Sequence, residues 1–203
     1  MKDICKLKKM KTEDQNIEIL NTELRKVEFP KDKLLEFDLG CGKGTFSTEL
    51  ARQYPDRIII STDVMIGRLR KLSKRNSRIG LTNCRFLKFE VWHLLNQCIE
   101  DESVYRFHIL CPDPWPKEKH KAFRLISSEF VARLALKLKK GGIFHFSTDD
   151  NPYFEHALDV LGKADFFKRD DSLISDVIGI KTDFEKKWNE MGLIVKHAAW
   201  QKI

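Results

Sequence analysis

An α/β fold, a mostly parallel sheet with helices on both faces, is predicted by three observations along the chain. Short apolar runs rich in β-branched and aromatic residues alternate with stretches whose apolar residues recur at helical spacing. A glycine cluster follows the first strand at its junction with a helix, and no internal repeat or low-complexity tract interrupts the alternation. Such alternation implies right-handed crossovers between parallel strands. The length of 203 residues allows one sizeable core and is short for two.

The elements follow in order. Up to about Pro30 the chain is charged and irregular, with Lys6, Lys8, Lys9 and Lys11 clustered and only IEILNTEL reading as a short helix. Residues 1–30 are expected to form a basic arm of flexible composition, and residues 31–203 the folded domain. LLEFDL, RIIIST, CRFLKF, YRFHILC and GIFHFST read as strands, each short and bounded by turn signals. Between them, GTFSTELARQY, MIGRLRKLSKRNSR, VWHLLNQCI and FRLISSEFVARLALKLKK read as helices, the last stopping at Gly141 and Gly142. NPYFEHALDVLGKA predicts a further helix, and FFKRD and GLIVKHAAWQKI are expected to pair antiparallel at the sheet edge.

Lys and Arg outnumber Asp and Glu 37 to 30, a net charge of +7 that favours an anionic partner such as nucleic acid. The cysteines Cys5, Cys41, Cys84, Cys98 and Cys111 form no CxxC pair, so neither a disulfide framework nor a zinc site is expected. His93, His108, His120, His145, His156 and His197 show no metal-ligand grouping and are expected to be structural or surface residues. The opening MKDICKLKKMKTEDQ lacks an apolar run of signal-peptide length, and no stretch approaches a membrane span. A cytoplasmic protein without membrane or metal partners is the expectation.

The first strand runs into DLGCGKGTF, with Gly40, Gly42 and Gly44 at alternate positions before a helix. Glycines there let the backbone turn tightly and come close to a ligand facing the helix N-terminus. A dinucleotide fingerprint would need glycine where Thr45 stands, and a phosphate loop would need a Gly-Lys-Ser/Thr ending. The GxGxG form preceded by Asp38 resembles the S-adenosylmethionine loop of class I methyltransferases. Asp63 ends the second strand, where an acid can accept both hydroxyls of a ribose, and Glu90 holds the matching position after the third. Either acid alone is as well explained as a helix cap. Together with Asp38 they mark the carboxyl edge of the sheet, where open α/β sheets bind ligands.

The fourth strand delivers CPDPWPKEKH to that edge, and the fifth delivers STDDNPY. Pro112, Pro114 and Pro116 exclude a helix and stiffen the loop around Asp113. PDPWPKEKHK, then STDDNPY, then TDFE resembles the bacterial tRNA (guanine-N7)-methyltransferase family from Leu34 to the end. The resemblance implies a Rossmann-like class I methyltransferase with a seven-stranded, mostly parallel sheet and an antiparallel C-terminal edge strand. It further implies methyl transfer from S-adenosylmethionine to N7 of guanine 46 in the variable loop of tRNA, by a monomer or homodimer.

Carried over by matched position, Asp38, Gly40, Gly42, Gly44, Asp63, Glu90 and Asp113 would bind the cofactor, with Asp113 also catalytic. Lys117, Asp149, Thr182 and Glu185 would bind the substrate, Thr182 and Glu185 at the guanine, and Lys119, His120, Lys121 and Arg124 would contact RNA. The basic helix carrying Arg68, Arg70, Lys71, Lys74, Arg75 and Arg78 is either a solvated face or a second phosphate surface. Lys119, Phe123 and Asp150 depart from the residues many relatives have. Two alternatives stand beside the main reading: an RNA-binding protein of methyltransferase form without turnover, and a class I methyltransferase with another RNA or small-molecule substrate.

Overall fold

The computed structural model describes residues 17–18 and 27–203. In chain order its strands are β1 (Ile17–Glu18), β2 (Leu34–Leu39), β3 (Arg57–Asp63), β4 (Cys84–Lys88), β5 (Val104–Leu110), β6 (Leu138–Thr148), β7 (Phe167–Arg169) and β8 (Lys196–Lys202). They form one sheet in the order β1-β4-β3-β2-β5-β6-β8-β7. All pairs up to β6 are parallel, and β8 runs antiparallel between β6 and β7. Seven of these strands are those read from the sequence, and β1 adds a two-residue parallel edge at the start of the IEILNTEL stretch expected to be helical.

The helices are α1 (Thr45–Gln53), α2 (Ile66–Arg78), α3 (Val91–His93, continuing as a π turn over Leu94–Cys98), α4 (Ser128–Lys137), α5 (Asn151–Gly162) and α6 (Asp183–Glu190). They cover both faces because the sheet is apolar on both. Phe37, Phe107 and Phe144 meet Leu94, Phe130, Leu134 and Phe154 from α3, α4 and α5 on one side. On the other, Ile59, Phe86 and Ala199 meet Phe46 and Leu50 of α1 and Leu69 and Leu72 of α2. The N-terminal side of the domain joins this core early: Val27 is buried, its N–H donates to the Cys98 carbonyl, and Phe29 packs edge-on against Phe37 at 5.6 Å. The rest of the expected arm lies outside the described residues, β1 apart.

Two expectations are corrected. The helix expected over 123–140 occupies only Ser128–Lys137, because Ser127 caps its start by accepting the Phe130 N–H and LKK is drawn into β6 instead. Gly141 and Gly142 therefore mark no helix stop. They sit in a bulge, where the pairing steps from Val104↔Leu138 to Arg106↔Ile143 and Gly141 has φ +74°. Helix α6, which the TDFE motif opens, was not anticipated as a helix; its amphipathic stretch is only 8 residues long, and its start depends on the Thr182 hydroxyl accepting the Glu185 N–H.

The bulge makes a direct prediction. A Cβ on Gly142 would lie 2.8 Å from the Lys139 carbonyl oxygen and 3.2 Å from that of Tyr105, both backbone atoms that cannot step aside. Gly142→Ala is expected to destabilise the fold by roughly 1–3 kcal/mol in urea unfolding, and an unchanged midpoint would refute the close contact.

Candidate active site

The sheet order reverses at β2, whose neighbours are β3 on one side and β5 on the other. Strands diverging there open a crevice at their carboxyl ends, and a cleft of about 590 Å³ occupies it. Its floor is the loop from β2 to α1. Gly40, Gly42 and Gly44 have φ of 79°, 58° and 70°, the left-handed region that only glycine enters without strain. Gly44 is also a packing necessity, because a Cβ there would come within 2.2 Å of Leu72 Cδ2. Gly40 and Gly42 have open space beside them, so their backbone is accessible from the cleft. The loop is clasped from β3, whose Thr62 carbonyl accepts the N–H groups of Gly40 and Cys41, and from α2, whose Arg75 donates to the carbonyls of Lys43 and Gly44 and to Thr48 Oγ1 at 2.9–3.0 Å.

The predicted acids have sharply different surroundings. Asp38 is 3% exposed and its Oδ2 has no hydrogen-bond partner. Burial pushes its pKa up to about 7, the Ser47 hydroxyl opposing and the charge of Asp63 adding to the rise. Asp63 is also buried but well supplied, accepting from the Gly42 N–H at 3.2 Å, the Met65 N–H at 2.7 Å and Arg68 at 3.3 Å. Glu90 is exposed and caps α3, its two oxygens accepting the N–H groups of Trp92 and His93 at 3.0 Å. It stands outside the cleft lining, which its neighbours Phe89 and Val91 form.

Opposite Asp38, the loop after β5 brings Asp113 into the lining, exposed and without a hydrogen bond to any described residue. The residues on either side of it, Cys111 and Trp115, have φ of 51° and 46°, unusual for side chains of that size. Three contacts hold them there. The Cys111 N–H donates to the Ser147 carbonyl at 2.8 Å, and Arg124 donates to the carbonyls of Pro114 at 2.9 Å and Pro152 at 3.3 Å. Arg124, expected to contact RNA, is thus a buried strut: its side chain is 4% exposed, near Asp150 and over the Tyr153 ring. Lys117 and Lys119 are exposed, Lys121 pairs with Glu118, and His120 packs against Trp115 and Phe123.

The third wall is α6. Thr182, Asp183, Phe184 and Lys187 line the cleft, and Asp183 accepts a hydrogen bond from Thr45 of the glycine loop. Glu185, expected at the guanine, turns the other way: it is 2% exposed and accepts from His197 at 3.0 Å and Lys181 at 2.7 Å. Burial raises its pKa, but those two partners outweigh burial and leave it below the usual carboxylate range. Asp149 ends β6 half-buried and outside the lining. Among the described residues no cluster of His, Cys, Asp or Glu is arranged to hold a metal, and no helix is long and apolar enough to cross a membrane.

A family model described as "Putative methyltransferase" matches residues 32–198. A tRNA (guanine-N(7)-)-methyltransferase of Marinobacter nauticus is 32% identical over 186 residues, covering 86% of this chain and 74% of the relative. The chain belongs to the tRNA (guanine-N7)-methyltransferase family. Other members include the proteins of that name from Nitrosomonas eutropha, 38% identical over 64% of this chain and 57% of the relative, and Thermotoga maritima, 30% identical over 81% and 52%. The chain therefore spans little more than half the length of those two. Among solved structures, the 16S rRNA methyltransferase KamB superposes with a TM-score of 0.63 at 18% identity, covering 85% of this chain and 89% of that one. A rRNA methylase from Streptococcus thermophilus gives 0.56 at 17% identity, with the same coverage. At that identity the likeness shows the fold, an α/β methyltransferase sheet.

For this family member, the residues that sequence reasoning missed are those acting at long range. Arg75 read as part of a charge run, yet it grips the glycine loop. Phe184 gave no signal beyond lying in the TDFE segment, and Lys187, two residues after it, gave none. Asp38 carries the testable consequence. A carboxyl whose folded pKa is raised from 3.8 to about 7 contributes stability at low pH that is lost as pH rises through that window. In urea unfolding, the unliganded Asp38→Asn protein is expected to gain on the wild type between about pH 4 and about pH 7, and a difference constant with pH would contradict the assignment.

Proposed function

We propose that the chain transfers a methyl group from S-adenosylmethionine to N7 of guanine in tRNA, with guanine 46 of the variable loop as the target. The carrying observation is the buried carboxylate of Asp38, which has one orphaned oxygen beside a glycine backbone open to a 590 Å³ cleft. An unpaired buried carboxylate is costly unless a cation or donor meets it on binding. A nucleoside bearing a sulfonium and an ammonium group meets that requirement, so the residues present fit the cofactor. Asp38 would hold its cationic amino-acid end, Gly40 and Gly42 its close backbone approach, and Asp63, whose Oδ1 accepts only the Met65 N–H, its ribose. Glu90 caps α3 and so fixes the Phe89–Val91 wall.

When bound, the cofactor supplies a methyl group on a positively charged sulfur. Guanine N7 offers a lone pair and carries no proton, so no general base is required. The remaining work is alignment, which can lower a barrier by about 7–11 kcal/mol when two reactants are held in line. Asp113 contributes a fixed negative charge at the mouth, favouring the cation that develops on the purine, and can accept hydrogen bonds from guanine N1 and N2. Lys117 and Lys119 flank it with unpaired positive charge for the RNA backbone.

The decisive experiment uses labelled S-adenosylmethionine and an unmodified tRNA transcript, followed by reduction and aniline treatment, which cuts the chain at N7-methylguanine. Label with scission at position 46 is expected, together with about a hundredfold loss of turnover in Asp113→Ala. Label without scission would mean another target atom, and no label would mean a binding protein.

The RNA surface makes a separate prediction. On α2, Arg68 and Arg75 are engaged inward, which leaves Arg70, Lys71, Lys74 and Arg78 exposed. If these meet phosphates, Lys74→Gln with Arg78→Gln should lower the slope of log affinity against log salt by about 2. An unaltered slope would make α2 a solvated face.

A further inference from the structure

Four neighbouring strands carry an unbroken polar chain through the apolar core. Glu36 of β2 meets His108 Nε2 of β5 at 2.9 Å, and His108 Nδ1 meets His145 Nδ1 of β6 at 3.0 Å. His145 Nε2 then meets His197 Nδ1 of β8 at 3.0 Å, and His197 Nε2 meets Glu185 of α6 at 3.0 Å. His108 and His145 are 0% and 1% exposed, and the Phe46 ring packs edge-on over His108 at 4.8 Å. Nothing in methyl transfer to a bare lone pair uses this chain.

Its protons can be counted. Burial opposes charge on Glu36, yet the His108 hydrogen bond and the nearby guanidinium groups of Arg106 and Arg57 leave its pKa lowered. Glu185 is held low by His197 and Lys181, as described above. Two ionised carboxylates have no proton to give, so His108 Nε2 and His197 Nε2 must each donate. The two nitrogen-to-nitrogen links between the rings each need a proton as well. Four links thus require four protons, whereas three neutral imidazoles bring three.

We infer that the chain Glu36–His108–His145–His197–Glu185 holds one excess proton as an imidazolium, and that His197 and Glu185 thereby act as positioning residues fixing α6 as a wall of the cleft. Without that proton, two ring nitrogens would face each other through their lone pairs and one link would open. Burial drives His108 and His145 towards the neutral form. The charge accordingly rests on His197, whose side chain is 10% exposed and touches Glu185. The other charged groups facing the chain are Arg57 from β3, Arg106 from β5, Asp176 and Lys181. Glu185 lies in the first turn of α6, beside the cleft residues Thr182, Asp183 and Phe184. The fourth link exists only while the excess proton is held, so the lock is complete at low pH and opens when a rise in pH removes that proton. The inference rests on the methyl-transfer reading only in taking the cleft as the ligand site.

The test is a nitrogen-15 NMR titration of the histidine rings in the full chain, alongside hydrogen exchange of the α6 amides. In the wild type, His108, His145 and His197 should together show one imidazolium at neutral pH, and α6 should exchange about tenfold faster, after correction for intrinsic rates, once that proton is lost. Lys181 contacts the same Glu185 oxygen as His197, so Glu185→Gln is combined with Lys181→Met; the amide N–H then donates to His197 Nε2, and three neutral rings satisfy all four links. That variant should show no imidazolium and pH-independent α6 exchange, whereas His197→Leu should exchange fast at every pH. Three neutral rings in the wild type, or an imidazolium that persists in the double variant, would overturn the inference. Neither readout involves methylation, so failure of the proposed activity would leave the proton count standing.

Discussion

The cleft exists because the sheet grows in opposite directions from β2. Asp38, Asp63 and Asp113 come from the ends of three strands that the chain visits far apart in sequence, and only the reversal between β2 and β5 makes those ends converge. The apolar faces of the sheet serve the same end. Helices α1 and α2 pack on one side, α3, α4 and α5 on the other, and every strand-to-helix turn is then forced to the same edge.

Three carboxylates of one chemical type acquire three roles from their surroundings. Asp63 is held by backbone and arginine donors and also braces the glycine loop. Asp38 is dry and half-unpartnered, so it is poised to respond to whatever charge arrives. Asp113 is exposed and unpartnered, held by its backbone alone. Around this negative interior the free lysines and arginines of α2 and of the loop after β5 make a positive exterior. The site can therefore attract a polyanion without neutralising its own acids.

Most of the sheet could be read from the sequence because its strands are buried on both faces and appear as continuous apolar runs, as in RIIIST. The failures share a cause. LALKLKK has helical spacing and a glycine pair behind it, but pairing with Val104 across the sheet outweighed local preference and made its end a strand. Arg75 and Arg124 looked like surface charge, since a sequence shows that a residue is cationic and not which carbonyl it reaches. Glu185 and His197 stand 12 residues apart and gave no hint of contact. His108, His145 and His197 read as separate structural or surface residues, because their alignment on adjacent strands depends on register, which no single segment reveals. Asp38 and Asp113 were legible because strand ends announce themselves.

The loop around Asp113 is framed by Cys111 and Trp115, two non-glycine residues held at positive φ by the Ser147 carbonyl and by the Arg124 strut. Such a frame must be assembled while the chain folds, because its anchors come from β6 and the start of α5. The entropy of ordering Asp113 is thus lost during folding and not when a ligand arrives. The loop after β5 belongs thermodynamically to the core, and its rigidity is inherited from the stability of the whole sheet.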